Sequence, residues 1–526
     1  MHLFAGCEIG IMVIDKNSTV YIFNNVPLTS NYSDTVYFNS ASEQSSAFQS
    51  MSHLTLENYS YVRVNNNQIK VDFNNTTVNQ TLYTYNYLMF RNTSFSSKWY
   101  YAFITSVEYV NNGCYLISYS IDVIQTFLFD VDWTTQVFVE REHPVSDALF
   151  SSLTEENIPT GEYLVSAPTD LIPFKSFVIV VACTVDQNNE PVVGGLYGNI
   201  YSGVKLNVWG ILEYEEVNAF INDLTVNNKS TAIVAIFMAY GEFFGSAESG
   251  GAKTTNVKVP INTTGNIDGY KPRNNKLYNH PYNFIYITDG SGNAMEVKPQ
   301  YESISNGQVS FRLVGESSCN PSITLYPYGY KGVESNEINF NEKMVLTGFP
   351  QCAYAIDSFK AWLAQNAGSL AINTLSSAAA LVGGLAVPGI GTAAATGAAL
   401  NIANSINTLM VESAKPPQAS GAMGAGGMFA QNLLTFIAYQ CNITAERARI
   451  IDDYFDKKGY ATKRIKTLQR SSRPYWNYTE TRECDLHGSV PDNMMSQINR
   501  ALDRGVTWWK GLQYVGNYTL VNSPTE

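Results

Sequence analysis

The stretch of sequence that decides the fold is residues 98–123, KWYYAFITSVEYVNNGCYLISYSIDV. On both sides of Asn112-Gly113, the odd-numbered and the even-numbered residues form two different sets of side chains. Alternation with period two is typical of a strand with two distinct faces, and Asn-Gly between two such runs is typical of a hairpin turn. The stretch therefore predicts two long antiparallel strands joined by a tight turn.

Strand-like runs extend outward from this hairpin, from residue 20 to about residue 350. Residues 177–185, FVIVVACTV, form a continuous apolar run, which is typical of a strand buried on both faces. Residues 281–328 predict a meander, with turn signals at 289–292 (DGSG) and 305–307 (SNG). Long helical periodicity is scarce before residue 355. The sequence therefore predicts a mainly β protein.

The composition agrees with a β-rich chain. Only 15% of the 526 residues are charged, and 34 are Tyr. Uncharged polar and aromatic side chains suit pleated, half-buried surfaces and turns. The formal net charge of −12 argues against a protein that grips nucleic acid over a broad basic surface, although it is compatible with nucleic acid sliding past.

The residues that usually carry enzyme chemistry form no convincing site. The seven Cys are odd in number and widely spaced, and the five His are isolated, so we expect neither a disulfide framework nor a metal site. Residues 389–394 (GIGTAA) resemble a dinucleotide fingerprint but follow an Ala-rich stretch instead of a strand. Glu215, Glu216 and Glu242 are more typical of solvated carboxylates than of a glycosidase pair. We expect no enzyme activity and no cofactor.

The chain changes character after residue 360, because residues 361–411 contain no charged side chain. Pro388 separates two Ala-, Gly- and Leu-rich arms, 366–387 and 389–411. A helix rises about 1.5 Å per residue, so each arm would reach roughly 33 Å as a helix, close to the hydrocarbon thickness of a bilayer. Polar side chains recur at helical spacing along one face of each arm: Asn366, Ser369, Asn373 and Ser376 in the first, and Asn401, Asn404 and Thr408 in the second. The segment predicts a helical hairpin with one polar stripe per arm.

One arm alone would be a marginal membrane span. Each arm has about seven bulky aliphatic side chains, which contribute about −2 to −4 kcal/mol to the free energy of membrane insertion. Its Asn, Ser, Thr and Gly residues oppose insertion. Small residues at four-residue spacing would let several such helices pack closely once inserted. Two simpler interpretations stay open at this point: a buried helical hairpin of a soluble protein, and a flexible low-complexity loop.

The candidate membrane-active residues are the large side chains of the two arms and the turn between them. They are Leu370, Ile372, Leu375, Leu381, Val382, Leu385, Val387, Pro388, Gly389, Ile390, Leu400, Ile402, Ile406, Leu409 and Met410.

Residues 446–482 concentrate basic side chains after the uncharged segment. Phosphate contact is one interpretation of such a run, but a solvated or inter-subunit charged face is the more usual one. The tail that follows, with Trp508, Trp509 and Tyr518, predicts one or two closing strands.

Three stretches, in this order, resemble a known family. They are residues 20–38 (VYIFNNVPLTSNYSDTVYF), residues 98–143 with KWYYAF, IDVIQTF and FVEREH, and the uncharged segment together with the closing GVTW (505–508) and VGNY (515–518). They resemble the distal tail knob, or tail tube, proteins of small phi29-type podoviruses. The middle of the chain carries much less of the resemblance.

The resemblance implies a domain organisation. A tail-tube β-barrel domain would be built from residues 1–140 and from residues 436–526, which return to it. Inserted β-rich domains would occupy residues 141–350, and residues 351–435 would form the hydrophobic loop.

The resemblance also implies a function and partners. The chain would be a virion protein at the distal end of a short phage tail, assembled as a homo-hexamer below an upstream tail or lower collar protein. Double-stranded DNA would pass through the lumen of this tube. The hydrophobic loop, about residues 366–428, would plug the tube and then penetrate the host cytoplasmic membrane. The alternative is a tail protein without membrane activity, whose residues 145–350 bind a receptor such as cell-wall carbohydrate.

Overall fold

The computed structural model describes most of the chain outside the uncharged segment: residues 17–59, 67–72, 82–94, 96–111, 113–172, 177–186, 188, 190, 195–197, 200–210, 213–243, 253–289, 292–316, 319–329, 331, 343–349, 351–352 and 434–524. The chain divides into two compact units. We name residues 1–158, 273–276 and 449–526 the terminal unit, and residues 159–272 and 277–448 the middle unit. The domain boundaries expected from the sequence stay predictions.

The described residues before Ile158 form β1 (Ser18–Asn24), β2 (Asp34–Val36), α1 (Ala41–Gln49), β3 (His53–Tyr59), β4 (Gln68–Asp72), β5 (Tyr85–Asn92), β6 (Ser96–Asn111), β7 (Cys114–Ile121), α2 (Val123–Phe127) and β8 (Val137–Glu142). Both helices begin at a capping side chain. The Ser40 hydroxyl accepts a hydrogen bond from the Glu43 N–H at 3.2 Å, and the Asp122 carboxylate accepts one from the Gln125 N–H at 3.0 Å.

The middle unit contains β9 (Tyr163–Val165), β10 (Thr169–Asp170), β11 (Phe177–Cys183), β12 (Gly195–Tyr197), β13 (Ile200–Ser202), β14 (Lys205–Gly210), α3 (Tyr214–Val226), β15 (Ile233–Tyr240), β16 (Lys253–Pro260), β17 (Asn283–Thr288), β18 (Ala294–Val297), β19 (Ile304–Ser305), β20 (Gln308–Glu316), β21 (Ser322–Tyr328), β22 (Met344–Leu346), β23 (Gln351–Cys352) and β24 (Ile437–Ile443). The rest of the chain forms α4 (Ala445–Lys458), β25 (Tyr460–Lys466), β26 (Trp476–Thr481), α5 (Asp492–Arg504) and β27 (Val506–Trp509).

The terminal unit is built on a six-stranded antiparallel sheet in the order β3-β1-β5-β6-β7-β4. The hairpin predicted from residues 98–123 forms β6 and β7 of this sheet, with Ala102 opposite Ile121 and Tyr109 opposite Tyr115. Gly113, in the turn, takes φ 81°, a left-handed conformation that glycine adopts without a steric penalty. The predicted hairpin is therefore confirmed.

Both faces of this sheet are covered. Side chains on one face, such as Phe23, Tyr87 and Tyr101, belong to the large aromatic cluster of the terminal unit. Their neighbours in the strands, such as Ile22 and Leu88, belong to a smaller cluster on the opposite face. This alternation is the physical meaning of the period-two pattern in the sequence.

A second sheet of the terminal unit, in the order β2-β27-β26-β8-β25, joins strands from both ends of the chain. β2 runs parallel to β27, and β27 runs antiparallel to β26, so that Trp509 lies opposite Trp476. Trp508 and Trp509 are fully buried. The closing strand predicted from the tail is confirmed. In the described residues both sheets of this unit are open, with edge strands at each side.

The middle unit contains three larger sheets: β14-β11-β15-β23, β10-β24-β17-β18 with β9 added to β24, and β16-β20-β21-β22 with β19 added to β20. β11 lies between β14 and β15, and its residues Ile179, Val180 and Val181 are fully buried, as the apolar run predicted.

The predicted meander over residues 281–328 forms only in part. Consecutive strands do pair antiparallel, with a left-handed turn at Asn306 and Gly307. However, β17 and β18 belong to one sheet, whereas β19, β20 and β21 belong to another. The prediction of a single meander is therefore wrong, because local alternation cannot tell to which sheet a hairpin belongs.

Candidate functional site: the anchors of the uncharged segment

The residues predicted to act on a membrane, from Leu370 to Met410, lie outside the described residues. The structure describes instead the two places in the middle unit where the chain enters and leaves residues 353–433. We call residues 349 and 351–352 the entry anchor, and residues 434–436 the exit anchor. Among the described helices, none is both long enough and apolar enough to cross a bilayer.

The entry anchor consists of the short edge strand β23 and of Phe349, whose buried ring lies just before it in the chain. β23 pairs antiparallel with β15, so that Cys352 lies opposite Ile236 and Gln351 lies opposite Phe237. Cys352 and Phe349 are both buried and belong to the core of the middle unit. The chain is therefore held by strand pairing and by apolar burial immediately before the segment begins.

The exit anchor is held more tightly, through both backbone and side chains. The Leu171 N–H donates a hydrogen bond to the Phe436 carbonyl at 2.9 Å, and the Thr435 hydroxyl donates one to the Asp170 carboxylate at 2.5 Å. Leu434 and Phe436 are buried in the same core as the entry anchor. β24, which follows directly, lies between β10 and β17 inside its sheet.

Tyr240, the last residue of β15, contacts both anchors. Its hydroxyl donates a hydrogen bond to the Leu434 carbonyl at 2.6 Å, and its ring meets the Phe349 ring edge-on with centroids 6.0 Å apart. Burial raises the pKa of Tyr240, and the nearby Asp170 charge raises it further, so the hydroxyl stays protonated and remains a donor. One buried side chain therefore links the points where the segment begins and ends.

This geometry brings Phe349, which precedes residues 353–433, and Leu434, which follows them, to the same buried side chain in the core of the middle unit. The interpretations that the sequence left open for the segment itself stay open.

The carboxylates considered for a glycosidase pair are surface residues. Glu215 and Glu216 lie in the first turn of α3, and Glu242 follows β15; all three are exposed. In the part of the chain that the structure describes, no group of three or more His, Cys, Asp or Glu side chains could hold a metal ion.

Sequence reasoning missed a polar network in the terminal unit. The Asp452 carboxylate, fully buried, accepts hydrogen bonds from the backbone N–H groups of Arg273 and Asn274 at 2.7 and 3.1 Å. Asp456, one turn later on α4, accepts from the Asn274 amide at 2.7 Å and pairs with the Arg273 guanidinium at 2.8 Å. The spacing of Asp452 and Asp456 places them on one helix face, but nothing local in the sequence indicates their partners.

The basic residues after the uncharged segment divide into two groups. Lys463 and Arg464 on β25 are exposed, as a solvated or inter-subunit face requires. Arg473 is buried, and the Arg470 guanidinium lies 4.2 Å from the centre of the Trp133 ring, where burial lowers its pKa to about 10. For these two arginines the interpretation as a solvated face is wrong, because aromatic and backbone partners far away in the sequence enclose them.

Comparison with known proteins assigns the fold to a family. The family model described as "Bacillus phage phi29, Tail knob protein gp9, C-terminal domain" matches residues 248–523, and the model described as "Caudoviral major tail protein N-terminus" matches residues 16–132. The tail knob protein gp9 of Bacillus phage B103 is 26% identical, over 96% of this chain and 98% of its own length. The tail knob protein gp9 of Bacillus phage phi29 is 24% identical, with the same coverage.

A solved structure shares the fold across the whole chain. The tail knob protein gp12 of bacteriophage C1 superposes with a TM-score of 0.56 over 97% of this chain and 100% of its own, at 13% sequence identity. The resemblance noted in the sequence is thus confirmed, and its residues 20–38 and 98–132 lie within a matched tail-protein region. The chain belongs to the family of tail knob protein gp9 of phi29-type Bacillus phages, and it is a structural protein of a phage tail.

Proposed function

We propose that this tail knob protein assembles as a homo-hexamer into a tube that conducts double-stranded DNA. We further propose that residues 366–428 close the tube before ejection and then enter the host cytoplasmic membrane. The hexamer would sit at the distal end of the virion tail, below an upstream tail or lower collar protein. The observation that carries the membrane part is the contact of Tyr240 with Phe349, before residues 353–433, and with Leu434, after them.

The tube part is supported by the open sheets of the terminal unit. β25 is an edge strand, and its residues Lys463, Arg464 and Ile465 are exposed, Ile465 to 70%. An exposed edge strand with a large apolar side chain is a ready surface for pairing with another chain. In a ring, neighbouring copies would cover such edges, since head-to-tail contacts close when the rotation between copies is a whole fraction of a turn.

The conduction part is supported by the charge of the chain. Six acidic copies around a lumen would repel the DNA phosphates on average. The DNA would therefore slide through the lumen without binding to its wall.

The membrane part depends on the number of copies. A single arm is marginal in a bilayer, whereas six two-arm hairpins could bury their polar stripes around a water-filled pore. The anchors would then act as fixed hinges, so that the arms change environment while the middle unit keeps its core.

The experiment is a replacement that keeps chain length. Residues 370–410 are exchanged for an equal number of Gly and Ser residues, and particle assembly and dye leakage from anionic vesicles are both measured. We expect normal assembly and loss of leakage. Unchanged leakage would contradict the membrane role, whereas failed assembly would show that the segment is needed for folding.

A matched pair of point variants tests the mechanism more finely. Leu385→Asp places a charge near the apex of the predicted hairpin, at a cost of roughly 3 kcal/mol per copy on insertion scales. Ser376→Asp places the same charge on the predicted polar stripe. We expect the first variant to reduce leakage strongly and the second to reduce it little; equal effects would argue against an ordered hairpin.

A further inference from the structure

A polar cleft of about 610 Å³ lies within the terminal unit. Three separate stretches of chain line it: residues 143–148, residues 273–275, and a C-terminal set that includes Asp456, Arg473 and Asn522. Its volume falls within the range of pockets that hold small molecules. The tube and membrane functions proposed above make no use of it.

The most unusual residue of the lining is Arg473, which is only 5% exposed. Its Nη1 donates a long hydrogen bond of 3.3 Å to the Asn522 carbonyl, and its buried Nε has no partner among the described residues. No described carboxylate lies within ion-pair distance of its guanidinium. A buried cation with so little compensation is costly, so a ligand that accepts hydrogen bonds from the cleft side of the guanidinium would stabilise it.

Asp147 also lines the cleft and supplies acceptors. Its carboxylate accepts hydrogen bonds from the Tyr460 hydroxyl at 2.6 Å and from the Asn275 N–H at 2.9 Å, one at each oxygen. Each oxygen has a second lone pair, so acceptor capacity remains. Burial raises the pKa of Asp147, and its two hydrogen bonds and the nearby Arg473 charge oppose that rise.

The remaining lining decides between classes of ligand. Ser146, Asn274, Asn522 and Ser523 add hydroxyl and amide groups that donate and accept. A strongly charged ligand of either sign gains little, because the lining holds two guanidinium groups, of Arg273 and Arg473, and two carboxylates, of Asp147 and Asp456. A metal ion is disfavoured because donors already occupy one side of each Asp147 oxygen. A ligand hydroxyl, in contrast, can accept from a guanidinium and donate to a carboxylate at the same time.

We propose that this cleft binds a neutral polyhydroxylated ligand, a saccharide unit of one or two rings, through Arg473 as donor and Asp147 as acceptor. The partner would be a surface glycan of the host, which the tail meets before any membrane. Binding of such a glycan would add a host-recognition step to the structural role of the protein in the tail.

The test is a titration of the full-length protein with small probes, and binding is measured by calorimetry or by ligand-observed NMR. The probes are di-N-acetylchitobiose and maltose as neutral saccharides, and inorganic phosphate as an anion. We expect at least one saccharide to bind with a Kd of about 1 mM or tighter, an affinity reached with few hydrogen bonds, and phosphate to bind at least tenfold more weakly. Binding of phosphate alone would overturn the proposal, and so would the absence of saccharide binding.

Two variants tie binding to the cleft. Ala148→Trp fills the cleft from an exposed lining position, so it should abolish binding while the thermal midpoint stays unchanged. Asp147→Asn should weaken binding at least tenfold, whereas the same exchange at the exposed Asp492 on α5 should not change it. Saccharide binding that survives Ala148→Trp would place the ligand elsewhere and refute the proposal.

Discussion

The terminal unit and the middle unit fill their interiors with different side chains. In the terminal unit, rings meet rings: Phe48 stacks on Tyr87 with centroids 5.5 Å apart, and Trp476 meets Trp509 at 5.3 Å. The core of the middle unit relies mainly on Val, Ile and Leu from its strands, with aromatic side chains such as Phe237, Tyr240 and Phe311 as a minority. Aromatic rings have preferred geometries and polar edges, so they specify how distant segments meet, whereas aliphatic side chains contribute mainly buried area.

The Trp509 side chain shows what this difference provides. Its ring packs against Trp476, while its indole N–H donates a hydrogen bond of 2.8 Å to the Asp34 carboxylate. A strand near the end of the chain is thereby placed in register with one near its start. The terminal unit needs such specific contacts because its two parts are separated by more than half of the sequence.

Buried and hydrogen-bonded groups make the terminal unit sensitive to pH. Among the described residues of this unit, the pKa clearly departs from its usual value at Asp122, Asp132, Glu142, His143, Asp147 and Asp456. In the middle unit, burial raises the pKa of several Tyr and Cys side chains, for example that of Cys183 to about 12. Acidification should therefore change the stability of the terminal unit.

The largest effect should come from truncating the aromatic interior. Trp508 is fully buried, so Trp508→Ala should cost about 3–5 kcal/mol of unfolding free energy. Hydrogen exchange of the full-length protein, read segment by segment, should show lost protection in β26 and β27 and retained protection in β11. Leu325→Ala, also fully buried, should give the reverse pattern at a cost of about 2–5 kcal/mol. If either variant loses hydrogen-exchange protection in both units, the interiors of the two units are not independent, and the comparison is wrong.

The second effect concerns pH and His143. Burial and the nearby Arg473 charge lower the pKa of His143 from 6.5 to about 3. Its Nδ1 accepts from the Tyr478 N–H at 2.7 Å and its Nε2 donates to the Asp456 carbonyl at 3.0 Å, which suits the neutral ring. Below pH 6.5 only the unfolded chain binds the proton, so this stability is present above pH 6.5 and is lost as the pH falls, by about 2 kcal/mol at pH 5.

The measurement is a series of denaturant titrations between pH 7 and pH 5. Asp122 acts in the opposite direction, because burial raises its pKa to about 6 and the folded state binds the proton first. His143→Gln keeps an acceptor and a donor but does not titrate, so the variant should lose less stability on acidification than the parent protein. The same pH dependence in both proteins would refute the role of His143.

A smaller effect is expected at the anchors. Tyr240→Phe keeps the ring but leaves the buried Leu434 carbonyl without its donor, which should cost about 1–3 kcal/mol. The loss should appear as faster exchange of amides near residues 434–436, with little change in the terminal unit. Tyr83→Phe, at a side chain that is 59% exposed, is the matched control and should change neither. If Tyr240→Phe leaves exchange at the exit anchor unaltered, the Tyr240 hydroxyl does not hold that anchor in place.

The smallest effect on chain stability should come from Ile465→Asp. The side chain is 70% exposed on an edge strand, so the variant should fold normally. If β25 pairs with a second copy, the charge should weaken assembly, which mass measurement of the particle would detect. Ile450→Asp, on α4 and 51% exposed, offers a comparable change away from the strand edge. Equal assembly of both variants would exclude the β25 edge as the ring contact.

The candidate site was predictable only in part. The absence of charge in residues 361–411 is visible in the sequence, and so is its match to the thickness of a bilayer. The anchors were not predictable, because Tyr240, Phe349 and Leu434 are ordinary apolar positions until β15 brings them together. The cleft was hidden for the same reason, since Asp147 and Arg473 lie more than 300 residues apart.

The sequence by itself determined the local properties of this protein: the alternation that makes residues 98–123 a hairpin, the buried strand β11, and an uncharged segment long enough to span a bilayer. These depend on neighbouring residues, whose spacing is set by the backbone. Only the tertiary structure decided which sheet each hairpin joins, that β2 pairs with β27, and that Arg473 is enclosed instead of solvated. Those outcomes depend on contacts between residues far apart in the chain, and the free energy of such contacts exists only once the fold has brought them together.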